Sequence, residues 1–412
     1  MQSLGQLPLL PRPRRVTSAD GVLRLGVAKN ASGEDRRRRC GALHAGRPSE
    51  ASGGDRLSPR SIASAPKMGP SDPDIPIECS ADSPGIPAQG YRMTIAARGV
   101  RIEAADTAGA FYGRMTLRQL ARLCPDAIPC GAIEDAPDIP IRGVMLDISR
   151  DKVPTMDTLF LLADMLAEWK INHLELYMEH TFAYRNHREV WAEASPLTAG
   201  EVRALDAYCR QRCIELAPNQ NSFGHFERWL KHARYRPLAE CPDGFARPDG
   251  SWRAATTLDP TNPDSLALLE ELYAELLPNF TSRRMHIGCD ETWELGKGRS
   301  RPSVERLGLH RVYYDYLGRL KALAASHGRT ALYWGDMVWN HFPDRVGLLD
   351  REMTHVDWGY YRLYPYREHG EKLAFLSQLG SHGKAVRGGR RGWPHPSCPL
   401  RARRSRRRRR TR

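Results

Sequence analysis

Short apolar runs and helix-periodic segments alternate along residues 141–379. The first helical segment has Leu159, Leu162, Ala163 and Leu166 at spacings i, i+3, i+4 and i+7, which is the apolar face of an amphipathic helix. The apolar runs between such segments predict six strands, at residues 142–148, 171–178, 214–217, 285–287, 330–334 and 355–359. Repeated strand–helix units favour a parallel sheet in an α/β protein. We therefore expect a (β/α)8 TIM-type barrel that is incomplete, with about six units.

A smaller unit precedes the predicted barrel. Apolar and polar residues alternate over 91–95 and again over 100–102, with a Gly-containing turn between them. This pattern is typical of a β-hairpin. A helix is predicted at 107–123, directly after the hairpin. We therefore expect a small α+β domain at 71–138, followed by the barrel at 139–380.

Both ends of the chain depart from this patterning. Residues 1–70 are poor in large apolar side chains and rich in Arg, Gly, Ser and Pro, so most of them are expected to be disordered. After residue 379 the apolar periodicity vanishes, and no seventh or eighth strand is visible. We expect residues 381–412 to be a disordered Arg-rich tail.

The composition of this tail suggests an origin. Gly, Arg, Pro and Ala come from G/C-rich codons, and acidic residues disappear where the periodicity stops. A shifted or truncated reading frame would produce both changes, and residues 31–66 show a similar bias. A natural disordered basic tail is the alternative.

The formal net charge of +14 is concentrated in the same segment. Residues 381–412 contain one Lys, twelve Arg and no Asp or Glu, so they supply +13 and leave +1 for the rest of the chain. A strongly basic chain suggests nucleic acid, but here the charge describes only the tail. Non-specific binding of phosphate by the tail is one alternative function, and no specific nucleic-acid partner is expected.

Cysteine usage and hydropathy exclude other classes. The nine cysteines show no metal-like spacing, so buried free thiols are the expected state, and we expect neither a metal nor a cofactor. No apolar run approaches 18 residues, so no membrane span is predicted. The N-terminal Leu-rich patch is crowded by prolines and lacks a preceding basic region, so we predict no signal peptide and a cytoplasmic location.

Asp290 and Glu291 are the strongest candidates for chemistry. They follow the strand at 285–287 after the break at Gly288, where both side chains can lean into one cleft. Two adjacent carboxylates are costly to bury unless something uses them. Unlike environments push the pKa values of such a pair apart and divide acid from base roles. The alternative is an ordinary solvated turn.

The other predicted strand ends carry cationic, acidic and aromatic residues. In chain order they supply Arg150, Glu179, His225, Trp334, Asp336, Trp358 and Tyr360. Barrels build their sites at the carboxyl ends of strands. Aromatic faces stack on the C–H surface of a sugar, and polar groups fix its hydroxyls. Singly, Arg150 is explained equally well as a surface charge, His225 as a loop histidine and each Trp as a core residue, but together they favour a sugar pocket.

The motif His286-Ile-Gly-Cys-Asp-Glu291 resembles the His-x-Gly-x-Asp-Glu signature of family 20 glycoside hydrolases, the β-N-acetylhexosaminidases. Residues 89–120 resemble the small α+β domain of that family, and residues 9–16 resemble the opening of a small domain that precedes its barrel. The resemblance covers residues 89–379. It implies a retaining hydrolase that removes terminal N-acetylglucosamine or N-acetylgalactosamine from β-linked oligosaccharides or glycoconjugates.

The resemblance also implies roles for the two carboxyl groups. Glu291 would be the general acid that protonates the glycosidic oxygen and then the base that activates water. Asp290 would accept the acetamido N–H and stabilise the oxazolinium ion that forms when the acetamido oxygen attacks C1. This substrate-assisted route is an exception to the usual two-carboxylate scheme.

The remaining roles concern the binding of the sugar. The resemblance implies that Arg150 binds ring hydroxyls, that Glu179 and His225 support the site, and that Trp334 and Trp358 form walls around the acetamido group. In the family, the last two strands bring a Tyr/Asp pair and a Trp/Glu pair, which cannot be assigned here. A catalytically impaired or sugar-binding remnant of such an enzyme is therefore the alternative function.

Overall fold

The chain folds into a five-stranded sheet with one helix, followed by an arc of parallel strands with helices between them. The structure is a computed structural model that describes residues 3–25, 77–247 and 249–359, and the backbone of 382–387. The predicted α/β class and the predicted order of a small α+β domain before a barrel are confirmed.

The small domain is an antiparallel sheet covered by one helix. Its elements are β1 (Arg15–Arg24), β2 (Ile77–Ser80), β3 (Tyr91–Ala96), β4 (Gly99–Ala104), α1 (Thr107–Leu123) and β5 (Ala127–Asp135). The strand order is β1-β5-β3-β4-β2, with only β2 and β4 parallel. The predicted hairpin is β3–β4, and the predicted helix is α1, which begins where the Asp106 side chain accepts the Gly109 backbone N–H.

The prediction that residues 1–70 are mostly disordered is wrong for their first part. A 3-10 turn at Leu4–Gln6 and strand β1 belong to the small domain, where Leu4, Leu9 and Leu23 are buried in its core. The domain therefore begins before the predicted boundary at 71. The edge strand β1 is mostly exposed, so its sequence lacks the alternation that marks a half-buried strand. Residues 26–70 lie outside the described residues.

Within the described residues, seven parallel strands form the barrel arc. The strands of this region are β6 (Gly143–Asp147), β7 (His173–Tyr177), β8 (Glu215–Ala217), the short hairpin pair β9 (Phe245–Ala246) and β10 (Trp252–Arg253), β11 (Arg284–His286), β12 (Thr330–Trp334), β13 (Thr354–Gly359) and β14 (His382–Arg387). The arc has the order β6-β7-β8 and then β11-β12-β13-β14, and a parallel bridge from Asn219 to His286 joins the two parts.

Helices lie between the strands along the chain. They are α2 (Met156–Glu168), α3 (Arg188–Trp191), α4 (Ala199–Arg210), α5 (Glu227–Leu230), α6 (Pro263–Leu276), α7 (Arg301–Leu307), α8 (Leu309–Ser326) and α9 (Asp336–His341). The predicted capping box of Thr198 and Glu201 is present at the start of α4. In the part of the chain that the structure describes, no helix is long and apolar enough to cross a membrane.

The seventh strand, β14, corrects the predicted count of about six units. It pairs with β13 in parallel register, from Thr354 opposite His382 to Gly359 opposite Arg387. The prediction failed because this segment holds only two apolar residues, whereas ladder pairing uses backbone groups that every sequence has. The predicted disordered tail at 381–412 is thus wrong for 382–387. The predicted helix at 373–379 and residues 388–412 lie outside the described residues.

One buried ion pair joins the small domain to the barrel. Lys170, in the turn between α2 and β7, donates from Nζ to Asp135 Oδ2 at 2.6 Å and to the Tyr91 hydroxyl at 3.1 Å. Burial lowers the pKa of Lys170, and the Asp135 charge opposes that shift. The contact lies where the small domain ends and the first barrel units begin.

Candidate active site

A strained turn follows β11 and carries the two candidate carboxyl groups. Gly288, Cys289 and Glu291 have positive φ angles of 70°, 76° and 48°, a conformation that non-glycine residues rarely adopt. A Cβ at Gly288 would lie 2.0 Å from Oδ1 of Asn221, so only glycine fits there. The turn presents Asp290 and Glu291 at the carboxyl end of the strand, and such strain is characteristic of functional sites.

The two neighbouring carboxyl groups have different environments. Asp290 is 7% exposed and accepts a hydrogen bond from His225 Nε2 at 3.0 Å, whereas the Glu291 side chain is 34% exposed. Burial acts to raise the pKa of Asp290, but the charge and hydrogen bond of His225 outweigh it and lower that pKa. Asp290 is therefore held as a carboxylate, while Glu291 is open to a bound molecule.

His225 is the cation at the centre of three carboxyl groups. Its Nε2 lies 3.0 Å from Asp290 Oδ2 and 3.7 Å from Glu291 Oε2, and its Nδ1 lies 3.9 Å from Glu179 Oε1. Burial lowers the pKa of His225, but the charges of Asp290 and Glu179 and the hydrogen bond to Asp290 raise it to about 9. The imidazole is therefore protonated at neutral pH.

Arg150 and Glu179 form a second charged group at the ends of the first two barrel strands. Arg150 Nε lies 3.3 Å from Glu179 Oε1. Tyr177 connects the two, because its hydroxyl accepts from Arg150 Nη2 at 3.0 Å and donates to Glu179 Oε1 at 3.0 Å. Burial raises the pKa of Glu179, and the charges of His225 and Arg150 oppose that shift. The guanidinium stays partly exposed and can reach a ligand.

Trp334 and Trp358 lie at the ends of neighbouring strands. Trp334 is 6% exposed, and its ring centroid is 4.5 Å from that of His286. It belongs to an apolar cluster with Leu332 and Val356, against which the partly buried Trp358 also packs. The structure thus brings the two tryptophans together, with Trp358 the more accessible. Tyr360 lies outside the described residues.

Asp336 is a third carboxyl group beside the strained turn. Its Oδ2 accepts the backbone N–H of Glu291 at 3.0 Å, and the nearby Trp358 side chain acts to lower the pKa of the same carboxyl group. Burial and then the charge of Asp290 raise the pKa of Asp336 to about 7. The sequence placed this residue at a strand end but gave it no role.

Five of the seven predicted site residues thus form one charged cluster at the carboxyl ends of the strands, namely Arg150, Glu179, His225, Asp290 and Glu291. Trp334 and Trp358 form a separate apolar group, and Asp336 relates the two groups. Sequence reasoning missed Tyr177, although it stands two residues before Glu179 and a strand places such residues on the same face. Within the described ranges, no group of three His, Cys, Asp or Glu side chains is arranged to hold a metal ion. The cluster offers an accessible carboxyl group, that of Glu291, beside a buried carboxylate, that of Asp290, which can stabilise a developing positive charge.

Comparison with known proteins identifies related chains. The family models described as "Glycosyl hydrolase family 20, domain 2" and "Glycosyl hydrolase family 20, catalytic domain" match residues 6–136 and 140–364. A beta-hexosaminidase of Akkermansia muciniphila is 28% identical over 287 residues, covering 61% of this chain and 56% of that protein. The N,N'-diacetylchitobiase of Vibrio harveyi is 33% identical over 186 residues, covering 41% of this chain and 21% of that protein.

Solved structures agree on the fold. The X-ray structure of Flavobacterium johnsoniae chitobiase superposes with a TM-score of 0.69 at 21% identity, covering 94% of this chain and 60% of that chain. The chain spans about half the length of the Akkermansia relative. The match of the first family model from residue 6 agrees with the position of β1 in the small domain. Because the catalytic-domain model alone matches more than half of the residues, the chain belongs to glycoside hydrolase family 20.

Proposed function

We propose that this protein is a β-N-acetylhexosaminidase, which removes terminal non-reducing N-acetyl-hexosamine from β-linked oligosaccharides or glycoconjugates. Membership of family 20 supports the proposal, as do relatives named beta-hexosaminidase and N,N'-diacetylchitobiase. The observation that carries it is the contrast between Asp290, buried against His225, and the accessible Glu291 beside it.

In the first step the substrate supplies its own nucleophile. The acetamido oxygen attacks C1 and the bond from C1 to the glycosidic oxygen breaks. Glu291 donates its proton to that oxygen, and the leaving group departs as an alcohol. The sugar remains as a positively charged oxazolinium ion, so no protein carboxylate has to reach the opposite face of the ring.

Asp290 stabilises this ion. As a buried carboxylate beside the His225 imidazolium, it accepts the acetamido N–H, orients the group for attack and offsets the positive charge that develops. In the second step Glu291, now a carboxylate, takes a proton from water as the water attacks C1. The oxazolinium ring opens and the sugar leaves with retained configuration.

The other site residues bind and shape the sugar. The Arg150 guanidinium, fixed by Tyr177 and Glu179, donates to ring hydroxyls. Trp358 and Trp334 form the wall on the side of the acetamido group, and the greater accessibility of Trp358 gives it the larger contact area.

The test is hydrolysis by the wild-type chain and by Glu291→Gln. With a β-linked N-acetylglucosamine disaccharide, kcat/KM should fall by about 100-fold or more, because an alkoxide needs a proton to leave. With a nitrophenyl N-acetylglucosaminide the loss should be smaller, because nitrophenolate leaves without one. Glu305→Gln, an exposed substitution on α7, is the matched control and should hydrolyse both substrates normally.

Two outcomes would contradict the proposal. Equal activity of Glu291→Gln and the control would rule out Glu291 as the acid. A wild-type chain that binds an acetamido-sugar oxazoline mimic, raising its melting temperature, but hydrolyses neither substrate would be the sugar-binding remnant instead.

A further inference from the structure

Asp336 lies among the reacting groups, and the mechanism above does not use it. It is the first residue of α9, directly after β12, and is 7% exposed. One of its oxygens accepts the Glu291 backbone N–H at 3.0 Å, and the Trp358 side chain lies close enough to act on the pKa of its carboxyl group. A single side chain on the fifth strand end therefore contacts the acid on the fourth and an aromatic wall on the sixth.

The hydrogen bond to Asp336 holds Glu291 in a backbone conformation that is unfavourable for a residue with a side chain. Glu291 has a φ of 48°, a left-handed conformation that persists only where its surroundings enforce it. Without the Asp336 oxygen, a partly buried N–H would lose its partner and the turn would be free to relax. A displacement of 1 Å in a reacting group costs on the order of 100-fold in rate.

Ionisable groups surround Asp336. Asp290 and Glu291 face it from the β11 turn, and the Cys289 thiol and the Tyr313 hydroxyl lie on the same turn and on α8. Charge repulsion with Asp290 and burial both favour the neutral form of Asp336, and its pKa is raised to about 7. Its protonation state therefore changes in the range where such an enzyme would be assayed.

We propose that Asp336 is a positioning residue for the reaction. It holds the Glu291 backbone and the Trp358 indole, so that the proton donor and the wall of the sugar site keep a fixed position relative to each other. The inference rests on the proposed function and assigns to that site a residue outside the substrate contacts. It distinguishes Asp336 from Asp290 and Glu291, which contact the sugar directly.

The experiment combines kinetics with hydrogen exchange in Asp336→Ala, Asp336→Asn and a control, Asp206→Asn. Asp206 is equally buried and accepts the Thr281 backbone N–H at 3.1 Å, on α4 away from the site, so the control reports the cost of disturbing a buried Asp. Amide exchange at Glu291 measures the proposed hydrogen bond without any need for turnover.

We expect Asp336→Ala to expose the Glu291 amide to exchange and to lower kcat by about 100-fold, with KM changed by less than about threefold. Asp336→Asn keeps an acceptor oxygen, so its kcat should return to within about tenfold of wild type. Because the pKa of Asp336 is raised to about 7, we expect an inflection near pH 7 in the kcat profile of the wild type. The inflection should be absent in Asp336→Asn, whose amide carries no titrating proton.

The assignment would be overturned if the Glu291 amide exchanged in Asp336→Ala as it does in the wild type. It would also be overturned if the kcat and pH profile of Asp336→Ala matched those of Asp206→Asn. Absence of turnover in the wild-type chain would instead overturn the proposed function, and the exchange data would show separately whether the contact exists.

Discussion

His225 shows how a single residue can set the ionisation of a whole cluster. Its imidazole is buried, which on its own would favour the neutral ring. Three carboxyl groups lie within 3.9 Å of its two nitrogens, and the charges of Asp290 and Glu179, with the hydrogen bond to Asp290, keep the ring protonated. The charge balance of the site therefore depends on contacts from three separate strand ends.

Replacing Asp290 with Asn should remove most of this effect. The pKa of His225, about 9 in the wild type, is expected to fall by about 1–3 units, because the closest anion is lost while burial remains. NMR titration of the His225 ring protons measures the change. Asp264→Asn, an exposed substitution at the start of α6, should leave the titration where it is. An unmoved His225 in Asp290→Asn would assign the control of its charge to Glu179.

At the scale of single residues, the sequence predicted those site residues that can be recognised from their immediate neighbours in the chain. Asp290 and Glu291 follow an apolar run, and Arg150, Glu179 and His225 follow others, so a barrel topology brings them together. Asp336 had the same kind of position, but its partner is a backbone N–H on another strand end. Such a contact depends on the path of a strained turn and leaves no pattern in the sequence.

Among the elements, two loops are held together by a buried glutamate. Glu294 accepts the Thr256 hydroxyl at 2.8 Å and also the Thr256 backbone N–H. The Thr256 carbonyl accepts the backbone N–H of Phe226, the residue after His225, at 2.8 Å. The loop that carries Glu291 is thereby tied to the loop that carries His225.

This tie should make stability depend on pH. Burial raises the pKa of Glu294 to about 7, so between about pH 4.5 and 7 the folded state holds a proton that the unfolded state has lost. The free energy of unfolding should therefore fall as pH rises through that window, by up to about 1.4 kcal/mol per pH unit. Urea unfolding at pH 5, 6 and 7 measures this slope.

Glu294→Gln is the variant that isolates this contribution. Its amide oxygen still accepts from Thr256 but carries no titrating proton, so the slope should be flatter than in wild type. Glu305→Gln, which is exposed on α7, should keep the wild-type slope. Parallel slopes for wild type and Glu294→Gln would mean that Glu294 does not titrate in this range.

The strands differ in how clearly the pattern of their side chains reveals them in the sequence. Strands that are buried on both faces, such as β12, consist largely of apolar residues and were predicted within a few residues. The exposed edge strand β1 and the glycine-containing β14 pair through their backbones with β5 and β13. Backbone pairing does not depend on side-chain pattern, which is why neither was predicted.

For the whole molecule, the ion pair of Lys170 and Asp135 is the buried electrostatic link between the small domain and the barrel described above. Lys170→Met should lower the free energy of unfolding by about 3–5 kcal/mol, because it leaves the Asp135 carboxylate buried without its cation. Urea denaturation at neutral pH measures the loss.

Lys321→Met provides the comparison, since Lys321 pairs with Asp350 and Glu352 at the surface. Its loss should cost at most about 1 kcal/mol. If both variants lost the same free energy, the domain link would contribute no more than an ordinary surface pair.

Gly288 and Gly328 share a φ of 70°, but only Gly288 has a neighbour, the Asn221 amide, where its Cβ would stand. Among random variants, position 328 would accept Asn or Asp, which tolerate this conformation, whereas position 288 would accept nothing. In a screen for sugar release, substitutions at Gly288 and at Glu291 would be equally harmful. In a screen for protein abundance, substitutions at Gly288 would lower the amount of folded protein and substitutions at Glu291 would not, because Glu291 variants still fold. Three codons apart, selection acts on this turn for two unrelated reasons, the space that the Asn221 side chain occupies and the transfer of a proton.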